Sequence, residues 1–104
     1  MDLARVVGTV VATRKETRLL GFKILLLKLA NEYGKADGPA LVALDQVGAG
    51  EGELVLVVRG SSARLAGELE KHPVDAVVVG TVDEITVDGT TTFAKEARPA
   101  AGPR

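Results

Sequence analysis

Residues 22–30 read Phe-Lys-Ile-Leu-Leu-Leu-Lys-Leu-Ala, and residues 53–59 read Glu-Leu-Val-Leu-Val-Val-Arg. Leucine and lysine favour helix, but each run is shorter than the roughly 10–12 residues at which an apolar stretch reads as a helix. Each is also bracketed by turn residues: Gly21 and the Asn31–Gly38 region around the first, Gly52 and Gly60 around the second. Strands are the better reading. Successive side chains of a strand point to opposite faces, so a strand buried on one face alternates apolar with polar. Here Ile24, Leu25, Leu26 and Leu27, like Leu54 to Val58, are apolar on both faces. Both faces of these strands must therefore be covered.

The rest of the chain follows the same grammar. Residues 3–13 are rich in β-branched side chains and read as a first strand, with Gly8 marking a bend or a close backbone approach. Residues 14–21 form a charged loop. The Asn31–Gly38 segment is a hairpin tip, Pro39–Val47 a third strand, and Gly48-Ala49-Gly50-Glu51-Gly52 a glycine-rich turn. After the fourth strand, Ser61 or Ser62 caps a short helix over Ala63–Lys71, which His72-Pro73 ends. Ala76–Val87 reads as a fifth strand, Asp88-Gly89 as a two-residue turn and Thr90–Lys95 as a short sixth strand. The expected fold is mainly β: a five- to six-stranded barrel of the oligonucleotide-binding type, with one short helix between the fourth and fifth strands. Residues 1–96 form this single domain, and residues 97–104, with two prolines and a glycine, read as a mobile tail.

Composition narrows the function. The 104 residues are 46% hydrophobic, too apolar for a disordered segment. No apolar run approaches the roughly 20 residues of a membrane span, so a soluble, cytoplasmic protein is expected. There is no cysteine and one histidine, His72, which excludes thiolate metal sites and any site needing two imidazoles. Thirteen basic against fourteen acidic residues and three aromatics argue against a nucleic-acid surface.

The motifs that tempt a catalytic reading fail on spacing. Gly48-Ala49-Gly50-Glu51-Gly52 runs into a strand, not a helix, and lacks the spacing of a dinucleotide loop; Glu53 stands where a P-loop needs Lys and Ser or Thr. Ser61 and Ser62 have only His72 as a base, ten residues on, and helix capping accounts for them. Asp83 and Glu84 are adjacent in an extended segment and face opposite sides, so no metal site is expected. No cofactor is expected either. The apolar second face is more than one short helix covers, so the remainder must meet another chain. Homo-oligomerisation follows from the pattern, without its stoichiometry.

Five segments in order carry a resemblance: residues 6–13 (Val-Val-Gly-Thr-Val-Val-Ala-Thr), 47–53 (Val-Gly-Ala-Gly-Glu-Gly-Glu), 60–64 (Gly-Ser-Ser-Ala-Arg), 73–76 (Pro-Val-Asp-Ala) and 79–83 (Val-Gly-Thr-Val-Asp). Together they resemble the vertex proteins of bacterial microcompartment shells, the ethanolamine-utilisation and carboxysome pentamer family of EutN/CcmL type, over residues 3–95. The resemblance implies a small barrel assembled as a cyclic homopentamer. Such a pentamer caps the fivefold vertices of a polyhedral shell otherwise tiled by hexameric shell proteins, a structural and non-enzymatic role in the cytoplasm. It makes Gly48, Ala49 and Gly50 candidates for the crowded neighbourhood of the fivefold axis. Ser61, Ser62 and Arg64 become candidates for subunit contact or for lining the axial opening. The competing readings are a single-strand nucleic-acid binder, for which the chain lacks stacking rings and basic charge, a small enzyme, for which it lacks a nucleophile–base pair, and a pentameric scaffold outside any shell.

Overall fold

The computed structural model describes residues 1–12, 21–60 and 75–95. Seven strands occur among them: β1 (Asp2–Thr9), β2 (Lys23–Leu29), β3 (Ala40–Asp45), β4 (Leu54–Arg59), β5 (Ala76–Thr81), β6 (Glu84–Val87) and β7 (Thr90–Ala94). The first five close into a barrel in the order β1-β2-β3-β5-β4, and β6 and β7 form a separate hairpin. All barrel pairings are antiparallel except β3 with β5, which run parallel. Five strands closed by a non-sequential crossover are the barrel architecture expected from the sequence. The expected helix over Ala63–Lys71 and the tail at 97–104 lie outside the described residues.

The barrel interior is filled by alternate positions of every strand. Ala4 and Val6, Leu25 and Leu27, Ala43, Val55 and Val57, and Ala76 and Val78 form one buried cluster, against which Leu29 and Leu41 pack. The same strands carry apolar residues outward. Leu44, Val58 and Val77 make a second buried cluster, joined by Phe22, Ile24 and Val79. Val77 is fully buried between the equally buried Ala76 and Val78, so β5 is covered on both faces at this point. The outer cover is incomplete: Val42 is 50% exposed and Val7 39%.

Two irregularities bend the strands. The β1–β2 register shifts between Val6 and Gly8, the bend that a glycine inside a β-branched run announces. A second shift lies between Leu56 and Val57 of β4, where β5 carries an extra residue. Bulges of this kind tighten the twist that closing a small sheet requires.

The sequence reads one strand over residues 76–87, but the chain leaves the barrel in the middle of it. The Val82 amide makes the last bond to β4, donating to the Leu54 carbonyl at 2.9 Å, and β4 begins at Leu54. Beyond that point the fifth strand has no partner strand among the described residues. Asp83 instead accepts from the Lys95 amide at 2.8 Å, which starts the β6–β7 ladder. Asp88 and Gly89 both take positive φ, at 50° and 79°, as a two-residue hairpin turn demands.

Side chains lock this hairpin to the barrel. Arg5 on β1 donates through Nε to the Gly34 carbonyl (2.8 Å) and through Nη1 to the Gly52 carbonyl (2.7 Å). Its guanidinium lies 5.2 Å from the centroid of Phe93 on β7. Gly34 passes so close to that ring that a Cβ there would sit 2.6 Å from Phe93 Cδ1. Thr92 Oγ1 donates to the Glu32 carbonyl at 2.5 Å, and Lys95 Nζ pairs with Glu53 Oε2 at 2.9 Å. One guanidinium thus ties two loops and the hairpin together. Arg5→Ala is expected to lower stability by about 2 kcal/mol, since bonds from a charged donor contribute roughly 1.5–3 kcal/mol and an exposed cation–π contact about 0.5–1. Arg5→Lys is expected to recover less than half, because an ammonium cannot fork between two carbonyls while lying flat on a ring. Urea unfolding midpoints of the two variants check this, and equal midpoints for wild type and Arg5→Ala would remove Arg5 from this role.

Candidate assembly loop

The glycine-rich turn joins β3 to β4, and its conformation is dictated by two carboxylates. Asp45, the last residue of β3, is 8% exposed. Its Oδ1 accepts from the amides of Val47 (3.0 Å) and Gly48 (3.1 Å), and its Oδ2 from the amide of Ala49 (2.9 Å). Glu53 Oε1 accepts from the Gly50 amide at 2.6 Å. Four successive N–H groups, 47 to 50, therefore already point at anionic oxygens of the chain itself. A phosphate has no donors left to claim here, which is the physical reason why this loop is not a phosphate cradle. Aspartate is suited to the task because its short side chain reaches amides two to four residues ahead.

The three candidate residues of the loop have different surroundings. Gly48 is exposed, has φ +76°, and a Cβ built on it would meet nothing among the described residues within 4 Å. Ala49 turns inward: it is fully buried and belongs to the barrel-interior cluster. Its carbonyl receives Lys23 Nζ from β2 at 3.3 Å. Gly50 is half-buried without positive φ, and Gly52 takes φ +91° where the chain turns into β4. The loop is stitched to β1 by the Gly52 amide on the Val6 carbonyl (2.8 Å) and the Val6 amide on the Glu53 carbonyl (3.0 Å). Ser61, Ser62 and Arg64 lie outside the described residues. Sequence reasoning passed over Asp45 and Arg5, the two side chains that organise this end of the barrel. Asp45 was detectable from an Asp three residues before a glycine at a strand end; Arg5 offered no local signal, because its partners are 29, 47 and 88 residues away.

Among the described residues no group of three or more acidic or histidine side chains is placed to hold a metal, and no helix is long and apolar enough to cross a membrane. Residues 1–83 match the family described as ethanolamine utilisation protein EutN/carboxysome. The chain belongs to this EutN/CcmL family. The carboxysome shell vertex protein CcmL of Gloeobacter violaceus is 47% identical over 92% of this chain and 96% of its own length. Its solved structure superposes with a TM-score of 0.85, covering 91% of this chain and 98% of that one. The bacterial microcompartment shell vertex protein EutN of Salmonella typhimurium is 44% identical over 91% of this chain and 96% of its own. A pentameric microcompartment shell protein from Rhodospirillum rubrum, GrpN, is 44% identical with a TM-score of 0.76, covering 84% of this chain and 99% of that one. EutN/CcmL proteins are thus named as structural components of shells, not as enzymes.

Proposed function

We propose that this chain assembles into a cyclic homopentamer that closes the fivefold vertices of a bacterial microcompartment shell in the cytoplasm, beside hexameric shell proteins that tile its facets. The observation that carries this is the match, at 44% identity over 84% of this chain and 99% of the other, to a shell protein described as pentameric. The exposed apolar positions Val7 and Val42 support it, since a ring joins two different patches of each subunit and covers apolar surface on two sides. Within the ring, Gly48 and Gly50 are the candidates for the crowded neighbourhood of the axis, Ala49 anchors their loop from inside the barrel, and Ser61, Ser62 and Arg64 are candidates for subunit contact or for lining the opening. A nucleic-acid-binding role gains nothing from the surface: Tyr33 is the one largely exposed aromatic among the described residues.

Native mass spectrometry of the purified chain is expected to give a dominant species at about 54 kDa, five copies of the 10.8 kDa chain. A dimer or hexamer as the dominant species would overturn the vertex reading. In the same assay Gly48→Asn is expected to keep the ring, because asparagine tolerates positive φ at a cost of about 1 kcal/mol or less, whereas Gly48→Phe is expected to shift the chain to smaller species. A full ring from Gly48→Phe would take Gly48 away from the axis.

A further inference from the structure

Aspartate followed by glycine occurs twice in the chain, at Asp37-Gly38 and at Asp88-Gly89. The pair is chemically reactive. The amide nitrogen of the glycine can attack the aspartate Cγ, and glycine has no side chain to obstruct the approach. From the protonated carboxyl, an N–Cγ bond forms, a Cγ–O bond breaks, and the amide hydrogen leaves with the carboxyl OH as water. Water then reopens the five-membered succinimide. Addition at Cγ restores aspartate; addition at the backbone carbonyl gives isoaspartate, whose main chain runs through Cγ. The net composition is unchanged and no other reactant is consumed.

The fold treats the two pairs differently. At Asp37-Gly38 both reacting groups are held. The Gly38 amide donates to the Leu29 carbonyl at 2.9 Å, and Asp37 Oδ2 accepts from Asn31 Nδ2 at 3.0 Å. Gly38 is also packed so closely that a Cβ there would sit 2.8 Å from Leu29 Cβ. At Asp88-Gly89 neither the carboxylate nor the glycine amide has a hydrogen-bond partner among the described residues. Both residues are exposed, and a Cβ on Gly89 would meet no described atom within 4 Å. Asp88 also holds φ 50°, a left-handed conformation that residues other than glycine, asparagine and aspartate seldom adopt.

Cyclisation needs the turn to leave its closed shape, and this tip can open by itself. Two ladder pairs, Val87 with Thr90 and Thr86 with Thr91, lie beyond the register shift, and all four residues are exposed. The Thr91 hydroxyl donates to Glu84 Oε2 at 3.3 Å, a bond within the hairpin. Among the described residues, the side-chain contacts that tie β7 to the barrel and its loops begin at Thr92 and Phe93 and leave the tip untouched. Short two-stranded segments with exposed backbone bonds open at little free-energy cost. Freeing Gly38 instead breaks its bond to the end of β2. We propose that Asp88 is a site of spontaneous isoaspartate formation and that the fold protects the chemically equivalent Asp37. The extra main-chain atom of isoaspartate is incompatible with a two-residue turn. The product therefore loses the two tip pairs and keeps the anchorage of the hairpin on the barrel. None of this depends on the ring reading.

The test incubates the whole chain at neutral pH and physiological temperature for weeks, then digests it and separates isoaspartyl from aspartyl peptides by liquid chromatography with electron-transfer fragmentation. Isoaspartate is expected at Asp88 at a level at least about tenfold above Asp37, since opening free energies within one fold range from near zero to the global value. In a parallel incubation in urea the two sites are expected to react at similar rates, because the same pair then reacts without the fold. Asp88→Glu would need a six-membered ring for the same attack. That variant is expected to keep the circular dichroism of the folded chain. After ageing it is expected to lose labelling by an isoaspartyl methyltransferase with radiolabelled S-adenosylmethionine. Equal isoaspartate at the two sites of the folded chain, or none at Asp88, would overturn the proposal, as would full labelling of aged Asp88→Glu. The same site ratio in urea as in water would mean that flanking residues choose Asp88, and would overturn the protection of Asp37 by the fold.

Discussion

Asp45→Ala is expected to destabilise the barrel by about 3 kcal/mol and to unlock the β3–β4 loop. The carboxylate satisfies three amides at once, and Ala49, one of the three residues, is fully buried. Leaving a buried donor unpaired costs roughly 1–3 kcal/mol. Val47 and Gly48 are exposed, so water can replace the lost acceptor at their amides but not readily at Ala49; the total stays below three full penalties. Asp45→Asn retains one carbonyl oxygen but turns an amide group towards a donor, and is expected to lose about half as much. Equilibrium denaturation gives the stability loss. Hydrogen exchange at residues 47–49 gives the local one, expected as a fall in protection confined to these amides before global unfolding. Unchanged exchange there would mean that the loop keeps its shape without Asp45, and that the glycines alone set it.

Leu27→Ala is expected to cost about 3–5 kcal/mol, the upper part of the range for large-to-small core changes. Leu27 is fully buried, paired with Val6 on one side and Leu41 on the other. The cost depends on how far the surroundings collapse into the space left behind. In a closed five-stranded barrel the ladders on both sides of β2 hold the wall in place, so the cavity persists. Val42→Ala, on the opposite face of the neighbouring strand, is expected to change the stability of the isolated subunit by less than about 0.5 kcal/mol, as exposed substitutions do. Thermal or urea unfolding of the two variants side by side reads the difference. Comparable losses would show that the outer face is as tightly covered within one chain as the inner one.

That contrast marks where the sequence stops being informative. Leu25, Leu26 and Leu27 are chemically identical and consecutive. Periodicity places Leu26 opposite its neighbours, but only the closing of β1 through β5 decides that Leu25 and Leu27 face the interior while Leu26 lies on the outer wall. Local chemistry was sufficient for the strands themselves: β-branched and leucine runs bounded by glycine, the positive-φ pair Asp88-Gly89, and the bend at Gly8 are all set by residues a few positions apart. The family resemblance was legible for the same reason, because its motifs are turns and strand ends whose backbone needs are written in short segments.

The long-range decisions were not legible. The division of residues 76–87 between barrel and hairpin depends on β4 starting at Leu54, which is distant in sequence and adjacent in space. The roles of Arg5 and Asp45 differ in the same way: Asp45 acts on the amides of residues 47 to 49, whereas Arg5 acts across the fold on Gly34, Gly52 and Phe93. Grouping Gly48, Ala49 and Gly50 as one unit was a statement about adjacency in the chain. The tertiary structure separated them, because the three amide bonds to Asp45 turn the backbone so that Gly48 stays at the surface while the methyl group of Ala49 enters the core. The sequence by itself determined the strands up to β4, the Asp88-Gly89 turn and the excess of apolar surface. Which apolar face is interior, and which lies on the outer wall, was decided by barrel closure, since burial is a property of the assembled sheet and not of any one strand.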